Sequence, residues 1–383
     1  MKKWKILSLV ILPFFLVFLS TSIYMPNVGS IEEDLGNIPW IIPLTITTYL
    51  ASSAVFQFFY GHMIDKYGRY KVYLPALLGF VIANILCYYS WDGISLVIFK
   101  TFQGATISCG FIIGAAVVSD IYPKSTRGKF MGIFISVPLL APPLGSFLGG
   151  LFGEIYTWRS TFLFLAALGA ISLVSITMYL PETIEDRDTK SEGILKSISI
   201  LKRKDFLTIT VLGLALMGTY YSFHLFLSLI LDNNYSFSPF FIGLFLTVYG
   251  LVDSLFVYIG GTISDSFSPR YVLLVSSFLA GIGALIFALL MGMHPYYLLG
   301  AFLIFGIGLG LGTTPLVTYV MELFPNKKGS AVGVTNFVRL IGASLVPFGG
   351  YFIIKLFSET ILFIFCGVLI SASVILVYYT TEG

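Results

Sequence analysis

Three side chains carry charge where the surrounding sequence is almost wholly apolar: Lys100, Asp253 and Arg339. An ionised group in such a setting is costly and is kept for pairing, for proton exchange or for holding a charged ligand. Asp253 is a carboxylate that can take up and release a proton, while Lys100 and Arg339 are cations suited to an anion or to Asp253 itself. Gln103 and Asn336 add neutral hydrogen-bonding capacity close by in sequence. His224 is the one histidine inside an apolar stretch; a neutral, hydrogen-bonded core role is the plainer reading and a proton carrier the sharper one. A second group is the run Gly61-His-Met-Ile-Asp65-Lys-Tyr-Gly68-Arg69, a short charged turn between apolar segments, echoed by Gly261-Thr-Ile-Ser-Asp265. Neither a nucleophile–base pair nor metal-ligand spacing occurs at membrane depth, so no enzyme chemistry, cofactor or metal is expected. Cys87, Cys109 and Cys366 read as apolar packing residues. The alternating glycines Gly306, Gly308, Gly310 and Gly312 lie in apolar sequence without a preceding soluble strand, which excludes a phosphate loop.

The elements that position these groups follow from composition. Hydrophobic residues make up 57% of the 383, charged residues 11%, and the mean hydropathy is +0.93, against roughly 25% charged residues in soluble domains. The solvent for most of this surface is therefore lipid. Runs of the ~20 residues a helix needs to cross a bilayer recur twelve times, near 6–25, 39–60, 72–90, 95–118, 129–152, 160–180, 206–231, 238–260, 271–291, 296–320, 330–353 and 361–379. They are too long, and too uniformly apolar, for barrel strands. An all-α membrane protein of twelve helices is expected.

Placing the N-terminus in the cytoplasm puts 18 of the 22 Lys and Arg on that side, leaving Arg159 and Lys355 outside and Lys100 and Arg339 within spans. That asymmetry predicts both termini inside and the Ile31–Gly36 segment in an outer loop. The net charge of +3 is then loop asymmetry rather than a nucleic-acid footprint. Lys2, Lys3 and Lys5 ahead of an apolar run resemble a secretory leader, but the run is longer than a usual leader core and lacks a clear cleavage site.

The two halves repeat one another. Gly61 and Asp65 align with Gly261 and Asp265, Gly149 and Gly150 with Gly349 and Gly350, and Asp120-Ile-Tyr-Pro123 with Glu322-Leu-Phe-Pro325. The organisation predicted is a six-helix bundle over 1–180, a mixed-charge cytoplasmic linker over 181–205 and a second bundle over 206–383.

These residues resemble the major facilitator superfamily over the full length, and within it the twelve-helix drug/proton antiporters. The run Gly61, Asp65, Gly68, Arg69 is similar to that superfamily's signature between helices 2 and 3. Lys100-Thr-Phe-Gln103-Gly104 is similar to the antiporter motif R-x-x-Q-G, and Gly132, Ala141, Gly145, Gly149 and Gly150 to the glycine motif of helix 5. Tyr24-Met25-Pro26, Trp158-Arg159 and Leu180-Pro181-Glu182-Thr183 look like the same group. The resemblance implies a cytoplasmic gate in which Asp65 faces the start of helix 11, Arg69 pairs with Asp120, and Arg127, Gly261, Asp265, Arg270 and Glu322 contribute. The chain departs from the pattern at Ser22, where many of these antiporters carry an aspartate, at Lys100 in place of arginine, and at Ala141 and Ser146 in span 5. In the second half Ser268-Pro269-Arg270 replaces Gly-Arg.

A secondary active transporter is the expectation: alternating access, a substrate site between two bundles near the midplane, and proton-driven efflux of a small amphipathic compound. Two buried cations against one anion favour a neutral or anionic substrate. Asp253 is the expected proton carrier, with Lys100, Gln103, His224, Ser22, Arg339 and Asn336 near the cavity. At ~1.5 Å per residue Asp253 and Arg339 share a layer. The rival readings are uptake or facilitated diffusion of a sugar-like or organic-anion nutrient and, from another class, a non-transporting membrane sensor. Expected partners are a small-molecule substrate, protons and the lipid bilayer of the cell membrane, with no nucleic acid and the chain a monomer.

Overall fold

The computed structural model describes residues 3–183, 199–325 and 328–381. Among them, twelve helices are long and apolar enough to cross a membrane: α1 Trp4–Asp34, α2 Ile41–Tyr67, α3 Arg69–Tyr88, α4 Gly93–Ile121, α5 Ser125–Ile155, α6 Ser160–Tyr179, α7 Lys204–Tyr235, α8 Pro239–Ser266, α9 Pro269–Leu289, α10 Pro295–Leu323, α11 Gly329–Leu356 and α12 Glu359–Thr381. Most run beyond the apolar stretches seen in sequence. At the start of α4 the extension begins on a side-chain cap, Asp92. Its carboxylate accepts from Ser95 N at 2.7 Å, and Ser95 Oγ accepts from Asp92 N at 3.2 Å, a reciprocal capping box. Hydrogen bonds from Ser95, its backbone N–H foremost, hold the Asp92 carboxyl below the usual carboxylate range.

Proline interrupts two spans without ending them. In α1 a 3-10 turn over Met25–Asn27 precedes a short helix, Val28–Asp34. Ile31 is therefore buried on a helix, and the connection to α2 falls at 35–40, displaced from the Ile31–Gly36 segment expected from sequence. In α5 the turn Val137–Leu140 joins Lys124–Ser136 to Ala141–Ile155, where Pro138, Pro142 and Pro143 remove backbone donors. Residues 184–198, most of the expected linker, lie outside the described residues.

The chain forms two compact units, one holding α1–α6 together with Phe237–Thr247 at the start of α8, the other holding α7 and the rest. Each uses the same helix pairing. In the first, α1 packs on α5 and α6, and α3 on α4 and α6; in the second, α7 packs on α11 and α12, and α9 on α10 and α12. The duplication in sequence is thus a duplication of packing. Large apolar side chains such as Met178, Leu255, Tyr258 and Val275 stand exposed on the flanks, as lipid-facing helices require.

Candidate functional site

The signature turn is built on a backbone that only glycine adopts readily. Gly68 has φ +97° and ψ 160°, a region closed to residues bearing a Cβ, and this lets α2 and α3 meet without a loop. Arg69, almost buried, donates through Nε to Asp120 Oδ2 at 3.1 Å and through Nη1 to Ile64 O at 3.0 Å and Asp65 Oδ1 at 3.5 Å. One guanidinium thus ties the end of α2 to the end of α4. Arg127 sits on the same side of the unit and donates to Tyr122 O at 3.3 Å, the end of α4. Gly61 has open space around it.

The second-half counterpart is wired differently. Arg270 donates to Thr381 Oγ1 at 2.7 Å and to Tyr378 O at 3.1 Å, closing the end of α12. Asp65 and Arg69 are four residues apart, whereas Asp265 and Arg270 are five apart. One extra residue turns a helical position by about 100°, so Arg270 points to α12 rather than to Glu322 or Asp265. Neither acid has an ion pair among the described residues. A methyl added at Gly261 would make only an ordinary contact with Thr314 on α10.

Lys100 is enclosed. Only 1% exposed, its Nζ donates to Gln103 Oε1 at 2.9 Å and to Ser20 O at 3.5 Å. It also lies 4.6 Å from the ring centroids of both Tyr24 and Tyr49, within cation–π range. Gln103 passes the network on through Nε2 to Asn84 Oδ1 at 2.6 Å, and Asn84 Nδ2 donates to Phe80 O at 2.8 Å. No carboxylate lies within ion-pair distance of this cation among the described residues. Carbonyl dipoles and π faces hold it, and both ends of the Gln103 amide are spent internally.

Ser22 stands where the related antiporters carry an aspartate. Its hydroxyl bonds Phe18 O at 2.9 Å and Ala141 O at 3.2 Å. A methyl at Gly145 would overlap that hydroxyl, and one at Gly149 would overlap the backbone of Ile23; small residues let α1 and α5 touch. Gly150 faces Pro239 and Gly243, which belong to the same unit. Gly132 behaves otherwise: a methyl there meets nothing within 4 Å, because it lies on the stretch of α5 before the proline turn, so it makes no close helix approach.

In the second unit Asp253 and Arg339 share no ion pair. The backbone of Asp253 lies against Gly310 of α10, while the Arg339 stem packs on Gly213 of α7 and its Nη1 reaches Asn336 Oδ1 at 3.5 Å. Different neighbours hold them apart. Asp253 Oδ1 is covered and has no hydrogen-bond partner, and the carboxylate lies within electrostatic reach of Tyr220 and Tyr249. Tyr249 stacks on Phe302 at 3.9 Å, its hydroxyl likewise unpartnered. His224 donates through Nδ1 to Tyr220 O at 2.9 Å, which leaves Nε2 as the acceptor; its ring lies 4.1 Å from Tyr220 and 5.0 Å from Tyr249.

Several participants do not announce themselves in the sequence. Tyr49 is an unremarkable aromatic in an apolar run, and Tyr24 is signalled only by the Tyr24-Met-Pro26 pattern. Glu182 and Thr183 follow α6 as part of a motif to which residue type alone assigns no task.

The Major Facilitator Superfamily profile matches residues 10–347 and, again, 209–383. The chain belongs to the major facilitator superfamily. Membership makes it a multi-pass membrane protein of a transporter family and not an enzyme. Among its relatives, Citrate exporter 1 of Aspergillus niger is 34% identical over 184 residues, 48% of this chain and 35% of the relative. The chain thus matches only about a third of that protein's length. Riboflavin transporter RibZ of Clostridioides difficile is 23% identical across 94% of this chain and 89% of its own. Multidrug resistance protein MdtM of Escherichia coli is 26% identical over 45% of this chain and 42% of its own. The D-xylose–proton symporter superposes with a TM-score of 0.82 over the whole of both chains at 12% identity. A bacterial homolog of the lysosomal transporter Spinster does so with 0.83 at 13% identity, over 98% of this chain and 96% of its own. At these identities the superpositions establish the superfamily fold.

Proposed function

We propose that this major facilitator protein is a proton-coupled exporter of a small amphipathic compound, neutral or anionic, working by alternating access in the cell membrane as a monomer with both termini cytoplasmic. The observation that carries this reading is the Asp253 carboxylate, set at membrane depth with Oδ1 covered and unpaired, while Ser22 removes the acid of the first half. A covered carboxylate oxygen without a partner is a standing cost unless the group takes up a proton or a ligand. With Asp253 protonated, Arg339 is a part-exposed cation within a span of the same unit, held at long range by Asn336. A neutral or anionic substrate completes it. Lys100, already bonded on all sides, serves the first bundle as a structural centre.

The Asp65–Arg69–Asp120 network works in this reading as a cytoplasmic gate. The test uses purified protein in liposomes with an acidic lumen and, as probes, riboflavin and citrate, named for the relatives. Lumenal accumulation that collapses when the gradient is dissipated is the expected result. Equilibration without accumulation supports facilitated diffusion instead, and absence of flux for every compound in a broad panel supports a sensor.

A further inference from the structure

Helix α3 starts at Arg69 directly after Gly68, so its first backbone N–H groups need acceptors that the preceding residue, a glycine, cannot supply. The acceptor comes from elsewhere in the fold. Glu182, just past the end of α6, accepts from Arg69 N at 2.9 Å through Oε1 and from Tyr70 N at 3.3 Å through Oε2. Its Oε1 also accepts from Thr183 N at 3.0 Å. The carboxylate fills the space beside Gly68 so closely that a methyl there would overlap it. The glycine therefore satisfies two demands at once, a positive φ and room for an acid 114 positions away in sequence. Thr183 adds a second tie, donating through Oγ1 to Asp120 Oδ2 at 2.9 Å, the same oxygen that receives Arg69 Nε.

We propose that Glu182 is a positioning residue of the cytoplasmic gate: its carboxylate, delivered by the end of α6, caps α3 and holds the backbone of Arg69 so that the guanidinium reaches Asp120. The physics is that of an N-cap supplied in trans. A negative charge at a helix N-terminus satisfies orphan donors and meets the positive end of the dipole, and bonds to a charged acceptor are the stronger kind. Because the cap sits on the residue that carries the gate's guanidinium, loosening it lets Arg69 leave Asp120. The proposal rests on reading the Gly61–Arg69 turn as a gate, and the experiment separates the two.

The full chain in lipid nanodiscs is examined as wild type, Glu182→Ala, Glu182→Gln, Gly68→Ala and Asp65→Asn. Hydrogen exchange in peptides covering the first turn of α3 reports the cap. Spin-label distances between cysteines at Lys66 and Phe267, the cytoplasmic ends of α2 and α8, report the gate. Glu182→Ala is expected to speed exchange there about tenfold and to shift the distance distribution in the same sense as Asp65→Asn. Glu182→Gln, which keeps one acceptor oxygen, is expected to fall between. Glu182 is exposed, so its variants fold even if Gly68→Ala does not. Wild-type exchange in Glu182→Ala overturns the cap. Fast exchange with an unmoved distribution, while Asp65→Asn shifts it, reduces Glu182 to a structural cap and overturns the positioning role. A distribution unmoved by Asp65→Asn as well overturns the gate reading itself, and the positioning role with it.

Discussion

Lys100 Nζ lies 2.9 Å from Gln103 Oε1, and that bond makes a buried cation and a buried amide dependent on each other. Replacing one partner leaves the other without its bond in a buried site, a loss of about 1–3 kcal/mol per stranded group. Lys100→Met strands Gln103 Oε1 and loses the longer bond to Ser20 O, both neutral acceptors that cost less to leave unpaired than a charge. Gln103→Leu strands two groups, the ammonium and Asn84 Oδ1. Thermal unfolding in detergent is expected to rank Gln103→Leu below Lys100→Met, and both below wild type. Equal midpoints for the two variants would show that the network does not act as a chain.

The glycines of α5 divide into two kinds. Gly149→Ala pushes a methyl into the backbone of Ile23, and overpacking of this sort costs about 1–3 kcal/mol. Gly132→Ala adds a methyl in open space and replaces a residue of poor helix propensity. A lower unfolding midpoint for Gly149→Ala, with Gly132→Ala unchanged or higher, is the expected pattern.

The capping box of Asp92 adds a pH dependence. Hydrogen bonds from Ser95 lower the folded-state pKa of its carboxyl, so the cap stabilises the fold above the ordinary aspartate pKa of about 3.9. Its contribution is lost as pH falls through the lower, folded-state value. The gap in unfolding temperature between wild type and Asp92→Ala is therefore expected to be full at neutral pH and to close on acidification through that range. A gap that widens on acidification contradicts the assignment.

Topology is tested by labelling. The Lys and Arg asymmetry places Asn37 outside and Lys190 inside. In a background where the native cysteines are buried, a cysteine at Asn37, which is exposed, is expected to react with an impermeant thiol reagent added to intact cells. One at Lys190 is expected to stay protected until the membrane is opened. Reversed labelling overturns the orientation.

Twelve helices and a twofold repeat are legible in this sequence because lipid imposes a length and a composition that nothing else in the chain obscures. The Arg69–Asp120 pair is legible through the resemblance, which names the roles of both residues. Partners fixed by side-chain direction are less so. Arg270 looks equivalent to Arg69 until a single added residue turns it to α12, and Asp253 and Arg339 share a depth yet pack on different helices. Glu182 could not be assigned, because its role depends on where α6 ends relative to Gly68, a tertiary fact with no local signature. Tyr24 and Tyr49 were hidden among 36 phenylalanines and 23 tyrosines, where type alone does not separate a cation's cage from lipid-facing bulk.

Asp253→Asn tests the account most directly. The substitution keeps size and hydrogen-bonding capacity but removes the group that can exchange a proton. In liposomes with an acidic lumen, the variant is expected to lose gradient-driven accumulation of a compound that the wild-type protein concentrates. It should keep equilibrium binding of that compound, read by a thermal shift, and downhill exchange. Accumulation at the wild-type level in Asp253→Asn would contradict the account, making this carboxylate structural and moving the search for a coupling group to His224.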